Sequence, residues 1–142
     1  YNSHAGLILI YTCSGIAVSF FVIKSYFATI PGELEEAARM DGCGYARTFV
    51  SIMLPIAMPG ILTAGVLAFL NNWNEYYWSS LILIDASKLT VPALLSNFTT
   101  GFETNYNGLF SAIIVTILPP IAVYAFCSRF FVQALSGGAV KG

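Results

Sequence analysis

Three long apolar stretches constrain the fold of this chain more than any other feature. Residues 5–28, 52–70 and 109–131 are each apolar over most of their length. A helix needs about 20 such residues to cross the hydrocarbon core of a bilayer, which is about 30 Å thick. Only 9% of the 142 residues are charged, against about 25% in an average soluble domain. The sequence therefore predicts an all-α integral membrane protein with three transmembrane helices.

The basic residues predict the orientation of these helices. Five of the six Lys and Arg residues lie at the end of the first span, in the loop after it, or near the C-terminus: Lys24, Arg39, Arg47, Arg129 and Lys141. Only Lys88 lies in the second loop. Because short loops rich in Lys and Arg stay in the cytoplasm, we predict a cytoplasmic first loop and C-terminus. The segment of residues 85–107 then faces outward.

The first loop carries an unusual density of charge. Pro31 and Gly32 end the first span, and three glutamates follow in "GELEEAARMDG". Acidic side chains at the start of a helix are favoured by its dipole, and glycines at residues 42 and 44 supply the backbone freedom to end it. This pattern predicts a short helix over residues 33–42, with one shallow and mostly apolar face formed by Leu34, Ala37, Ala38 and Asp41.

Such a helix needs a surface, because isolated helices under about 12 residues are marginal in water. One interpretation is a helix that docks in a groove of a partner protein. The alternative is a helix in the plane of the lipid headgroups, although interfacial helices favour large apolar and basic residues. Here the apolar residues are mostly alanines and the local charge is acidic, which favours the partner.

A second polar cluster lies at the end of the second span, in "NNWNEYYW", residues 71–78. Aromatic rings stack on sugars while amides and carboxylates bind hydroxyl groups, so the mixture is typical of a sugar site. An aromatic belt at the membrane surface uses the same residue types. Residue chemistry alone leaves both interpretations open. Pro55 and Pro59, earlier in this span, each remove a backbone donor, and we expect the helix to be kinked there.

The loop resembles a specific family. The spacing of seven residues matches the cytoplasmic loop signature of the permease subunits of binding-protein-dependent ABC importers: Glu36, Ala37, Ala38, Gly42, Ile52, Leu54 and Pro55. The resemblance implies that residues 33–42 form a coupling helix that docks on a cytoplasmic ATP-binding subunit. It also implies a second permease subunit, an extracytoplasmic solute-binding protein and the plasma membrane of a prokaryote, the inner membrane if Gram-negative. The match implies the C-terminal half of a permease with about six spans, so we expect missing sequence before Tyr1.

Two further patches, "NNWNEYYWSSLIL" and "RFFVQALSGGAVKG", are similar to the sugar-transporting branch of this family, the maltose-type and glycerol-phosphate-type permeases. This similarity implies import of a carbohydrate. It also implies that residues of the second cluster line the solute pathway: Asn72, Trp73, Asn74 and Glu75. A permease for another solute, a secondary transporter and a membrane scaffold without transport activity remain as alternatives.

Several functions are disfavoured by the residues that the chain contains. It has no GxxxxGK[ST] loop to bind nucleotide phosphates, so ATP with Mg²⁺ is expected on the separate subunit and no cofactor on this chain. His4 is the only histidine, and it has no partner at a spacing typical of a catalytic or metal site. The chain is therefore expected to be a transport subunit rather than an enzyme. No basic run indicates binding to nucleic acid.

Overall fold

A computed structural model describes residues 2–98 and 106–139, and its description of side chains in the last helix ends at residue 128. The described residues form helices, turns and loops without a strand. Seven α-helices occur in this part of the chain: α1 (His4–Phe27), α2 (Glu33–Met40), α3 (Tyr45–Thr48), α4 (Leu54–Trp73), α5 (Tyr77–Ile82), α6 (Val91–Leu95) and α7 (Tyr106–Ala139). A π-helix, Phe49–Met53, joins α3 to α4, and 3₁₀ turns occupy Ala86–Lys88 and Ser96–Phe98.

Three helical segments are long and apolar enough to cross a membrane. They are His4–Phe27, Tyr45–Trp73 and Tyr106–Ser128. Most of their large apolar side chains are exposed on this chain, as expected for helices covered by lipid or by other protein segments. The predicted all-α membrane fold, with three candidate spans and a short helix in the first loop, is confirmed.

The boundaries differ from the predicted ones at the second span. Sequence reasoning begins this span at Ile52, but the helical run begins at Tyr45 and continues without interruption to Trp73. The first two turns of this run were not predicted, because they contain Arg47 and are followed by two prolines. Charge and proline are both signals against an apolar helix. Of the predicted outward segment, residues 85–98 contain two 3₁₀ turns and α6, while residues 99–105 lie outside the described residues.

The chain divides into two compact units, and each has its own small core. One unit contains the described residues up to Ile16 and Ala68–Ala125. Its buried residues are Leu7, Ser79, Leu83 and Ala93. The other unit contains Ala17–Leu67 and the described residues from Phe126 onward. Its buried residues include Ala38, Thr48, Ala57, Ala64 and Val66.

Gly60 permits a close helix contact in the second of these units. A β-carbon at this position would overlap the ring of Tyr26 on α1. Gly60 and Ala64, four residues apart, are both buried on α4. Small residues at this spacing let two membrane helices approach closely, so this part of α4 is fixed against α1.

Candidate functional site

The start of α2 depends on charge rather than on a side-chain cap. Gly32 occupies the N-cap position, and no side-chain hydrogen bond caps the helix. The carbonyl of Gly32 accepts from the backbone N–H groups of Glu35 and Glu36, at 2.9 and 3.1 Å. Three glutamates fill the first turn, where the helix dipole stabilises negative charge. The acidic residues therefore favour helix formation at this position.

The end of α2 is a Schellman motif centred on Gly42. The N–H of Gly42 donates to the carbonyl of Arg39, and the N–H of Cys43 donates to that of Ala38, both at 3.0 Å. These are the two bonds that define the motif. Gly42 has a φ of +78°, which a glycine adopts without the clash that a β-carbon causes. The predicted role of Gly42 in ending the helix is confirmed.

Gly44 does not share that role, contrary to expectation. Its φ is −73° and its ψ is 161°, an extended conformation open to any residue, and it is the N-cap of α3. A β-carbon at Gly44 would meet no atom within 4 Å. The sequence did not distinguish the two glycines because only the hydrogen-bond pattern identifies which one lies in the left-handed region.

Two contacts of Arg39 hold α2 beside α3. Arg39 forms an ion pair with Glu35 one turn earlier, as the i, i+4 spacing predicts. Its guanidinium carbon lies 4.5 Å from the centroid of the Tyr45 ring, a cation–π contact. The hydrogen bond to Glu35 and the nearby Tyr45 raise the pKa of Arg39 above its ordinary value. Because all three side chains are exposed, each contact contributes little alone, but together they orient the helix.

The surface of α2 differs from the predicted one. Ala38 is only 3% exposed, so it packs within its own unit and does not share a surface with Ala37. The spacing i, i+3, i+4, i+7 places four other residues on one face, all of them exposed: Glu33, Glu36, Ala37 and Met40. Met40 is 89% exposed. We call this set the α2 outer face.

The remaining signature residues lie beyond α2, where the second span begins. Ile52 belongs to the π-helix, and Leu54 and Pro55 are the first residues of α4. The N–H of Leu54 donates to the carbonyl of Phe49, five residues earlier, which is the bond of a π-turn. The signature therefore covers two different structures, a short surface helix and an irregular turn in a long one.

In the second cluster, Glu75 is engaged within its own unit. Its Oε2 accepts hydrogen bonds from the Tyr11 hydroxyl at 2.8 Å and from the N–H of Ser79 at 3.2 Å. Its Oε1 accepts from the N–H of Trp78 at 2.8 Å. The carboxylate thus satisfies two N–H groups in the first turn of α5 and connects that helix to α1. Ser79 is fully buried, and its Oγ accepts from the Thr90 hydroxyl at 2.6 Å.

The other three residues predicted to line the solute pathway differ in what their polar atoms bind. Trp73 donates from Nε1 to the carbonyl of Thr116 at 3.2 Å and stacks on Phe69, with ring centroids 5.6 Å apart. Asn74 is exposed, lies just beyond α4 and donates to the carbonyl of Leu70 in that helix. Asn72 differs from both, because its Oδ1 is buried and has no hydrogen-bond partner among the residues that the structure describes.

Sequence reasoning missed one polar hub of this unit. Asn2 has a φ of 56°, and its side chain accepts from the N–H of Ile84 at 3.0 Å and donates to Asp85 at 2.7 Å. Lys88 forms an ion pair with Asp85 at 3.1 Å and donates to the carbonyl of Asn2 at 3.3 Å. Asparagine tolerates the left-handed region better than most residues, but one Asn near a chain start is too weak a signal to predict this hub.

The comparisons with known proteins agree with the loop signature. The model of the binding-protein-dependent transport system inner membrane component matches residues 2–137. The probable ABC transporter permease YurM of Bacillus subtilis is 34% identical over 142 residues, which is all of this chain and 47% of the relative. The arabinooligosaccharide transport permease AraQ of the same species is 35% identical over 141 residues, 99% of this chain and 50% of the relative.

A further relative is the sn-glycerol-3-phosphate transport permease UgpE of Yersinia enterocolitica, which is 38% identical over 136 residues, 94% of this chain and 48% of the relative. The chain spans about half the length of the curated relatives that it matches. All three relatives are permeases, which are transport components rather than enzymes. The match of the family model to residues 2–137 covers nearly the whole chain, and this chain belongs to the inner membrane components of binding-protein-dependent transport systems.

Proposed function

We propose that this chain is part of the permease subunit of an ATP-driven importer and that the α2 outer face docks on a cytoplasmic ATP-binding subunit. The observation that carries the proposal is the exposure of Glu36, Ala37 and Met40 on a helix whose end is fixed by Gly42. A helix of eight residues is not stable by itself. An exposed apolar and acidic face on such a helix suits a groove in a partner.

The remaining partners follow from the family. A second permease subunit completes the pathway, and an extracytoplasmic solute-binding protein delivers the solute. The membrane is the plasma membrane of a prokaryote, the inner one if the cell is Gram-negative, and both the first loop and the C-terminus are cytoplasmic. ATP with Mg²⁺ binds to the ATP-binding subunit. Closure of the ATP-binding subunits displaces α2 and opens the pathway outward. Hydrolysis of ATP then returns the permease to its starting state.

We further propose that the solute is a carbohydrate and that Asn72 contacts it. Two relatives support this choice, since one is a permease for arabinooligosaccharides and another is a permease for sn-glycerol-3-phosphate. Both of these solutes carry hydroxyl groups. A buried acceptor without a partner costs about 1–3 kcal/mol, so the free Oδ1 of Asn72 is suited to accept from a solute hydroxyl. Trp73 and Glu75 bond to other residues of this chain, and we assign them to the support of the solute site rather than to contact with the solute.

Docking is tested by co-purification of the complete permease with a tagged ATP-binding subunit in mild detergent. The double variant Glu36→Lys plus Gly42→Asp should release the tagged subunit while remaining folded. The matched control is Gly44→Asp, because this glycine is two residues away and has an extended backbone that aspartate adopts freely. Equal retention of all three proteins would overturn the docking proposal.

Contact with the solute is tested by uptake kinetics of the assembled importer. Asn72→Leu removes the buried acceptor and should raise the solute concentration needed for half-maximal uptake. Asn74→Leu is the matched control, because the Asn74 amide is exposed and bonds to the carbonyl of Leu70 at the end of α4. If the two variants have equal effects, Asn72 does not contact the solute.

A further inference from the structure

The π-helix Phe49–Met53 has no buried residue, unlike the helices on either side of it. Phe49 is 50% exposed and Val50 is 58% exposed. On one side, α3 contributes the buried Thr48. On the other side, α4 contributes buried Ala57 and Gly60. A wide turn without a buried residue thus lies between two segments that have buried residues, and such turns within α-helices frequently mark functional sites.

The two prolines after this turn remove hydrogen bonds that would stiffen it. Pro55 has no N–H to donate to the carbonyl of Ser51, and in a regular α-turn its ring would clash with that carbonyl. Pro59 likewise cannot donate to the carbonyl of Pro55. The wider turn, closed by the bond from Leu54 to Phe49, accommodates the first proline. The helix is therefore weakest between α3 and the contact of Gly60 with Tyr26.

Open space lies beside the turn. The rings of Phe27 and Phe49 stack with centroids 6.1 Å apart and planes at 11°. They border a cavity of about 190 Å³, whose other lining residues are Glu35, Arg39, Tyr45, Thr48 and Met53. A close-packed interior resists displacement, whereas a cavity of this size leaves room for α3 and its bound α2 to move.

We propose that Phe49–Met53 is a flexible joint that lets α2 and α3 change their angle to α4 during the transport cycle. This inference rests on the proposed function, since α2 is the element that the ATP-binding subunit displaces. Without a joint, each displacement of α2 would press α4 against Tyr26, where Gly60 leaves no space. With the joint, the movement is taken up by a turn that has no buried residue of its own.

The joint is tested by deletion of Ser51, an exposed residue of the π-helix. A π-turn contains one residue more than an α-turn, so the deletion removes the wide turn, leaves only the bend imposed by Pro55 and keeps the flanking faces in register. We expect the variant to retain the ATP-binding subunit but to import solute about ten-fold more slowly, which corresponds to a barrier raised by about 1.4 kcal/mol. Ser51→Ala keeps the turn and should import at the wild-type rate.

Each outcome of the deletion is informative. Import at the wild-type rate would overturn the joint while leaving docking intact. Loss of the ATP-binding subunit only from the deletion variant would also overturn it, because the turn would then be needed to place α2 for docking rather than to let α2 move. Loss from the wild type as well would instead overturn the proposed function, and the two failures are therefore distinguishable.

A cleavable thiol cross-link tests the same joint without a change of length. In a variant without the three native cysteines, Phe49→Cys and Ile56→Cys place a pair of thiols across the turn. Met58→Cys and Gly65→Cys place the control pair at the same spacing within α4, and all four positions are exposed. Cross-linking the first pair should stop uptake, and cleavage should restore it. Uptake that continues with the first pair cross-linked, or that stops equally with the control pair, would overturn the joint.

Discussion

The α2 outer face and the second polar cluster, residues 71–78, both carry charge in an apolar chain, yet their side chains have different partners. The carboxylate of Glu36 makes no hydrogen bond or ion pair within the described part of the chain, and Met40 is 89% exposed. Glu75, in contrast, accepts three hydrogen bonds from Tyr11 and the first turn of α5. A polar residue in a membrane protein is therefore a candidate for partner binding only when its own chain leaves it unengaged.

This difference divides residues that sequence patterns treat alike. A carboxylate near membrane depth is a functional candidate by default because it is costly to bury. The hydrogen bonds of Glu75 offset that cost within the chain, so its main contribution is to hold α5 against α1. The carboxylates of the α2 outer face stay in contact with solvent or a partner. Variants of the two groups should consequently affect different measurements.

The largest effect on stability is expected for Glu75→Gln. The glutamine amide cannot accept from all three donors, and hydrogen bonds to a charged group contribute about 1.5–3 kcal/mol. We expect a lower temperature of unfolding in mild detergent, with Tyr11→Phe giving a smaller decrease because it removes only one bond. Glu36→Gln, which changes an exposed carboxylate, is the control and should unfold like the wild type. If the wild type and the three variants unfold at the same temperature, Glu75 contributes no more to stability than Glu36 and the distinction between the two regions is wrong.

A smaller effect, confined to docking, is expected at Gly42. A β-carbon in the left-handed region costs about 1–2 kcal/mol, so Gly42→Val should weaken binding of the ATP-binding subunit by about 5- to 30-fold. Gly42→Asn should weaken it less, since asparagine tolerates this conformation. Binding is measured by titration of the purified subunits. If valine and asparagine have the same effect, the φ of +78° at Gly42 is not what docking requires.

Much of the fold was predictable because its signals are strong. Runs of about 20 apolar residues identify spans, and three glutamates before a glycine identified α2. The loop signature identified the family from residues such as Glu36 and Gly42. These features are local in the sequence, and their physical causes, hydrophobic length and helix dipole, do not depend on tertiary structure.

The remaining features depend on contacts that sequence does not reveal. The burial of Ala38 depends on how α2 packs in its unit, and nothing in "EEAAR" separates it from Ala37. The π-turn before Pro55 was not predicted, because proline by itself indicates only a kink. Glu75 and Tyr11 are 64 residues apart, so their hydrogen bond left no pattern in the sequence. Tertiary contacts decided these three outcomes.

Trp73 provides a test at intermediate magnitude. Its Nε1 donates to the carbonyl of Thr116, and a neutral hydrogen bond contributes about 0.5–1.5 kcal/mol. Trp73→Phe keeps an aromatic ring beside Phe69 but loses the donor, so it should lower the temperature of unfolding slightly. Trp78→Phe is the matched control, because this second tryptophan is 42% exposed. A greater loss of stability from Trp78→Phe would contradict the assignment of Trp73 to a supporting role.

The smallest effect is expected from Asp85, and it depends on pH. Hydrogen bonds from Asn2 and Lys88, together with the charge of Lys88, lower the pKa of Asp85 below its ordinary value. A carboxylate with a lowered pKa in the folded state stabilises the protein above its unfolded-state pKa, about 4, and this contribution is lost as the pH falls through the folded-state value. Wild type should therefore unfold at a higher temperature than Asp85→Asn at pH 6, and the difference should shrink below about pH 4. Asp41→Asn, a change at another exposed aspartate, is the control. A difference that grows on acidification would have the wrong sign and would exclude the bonds to Asn2 and Lys88 as its cause.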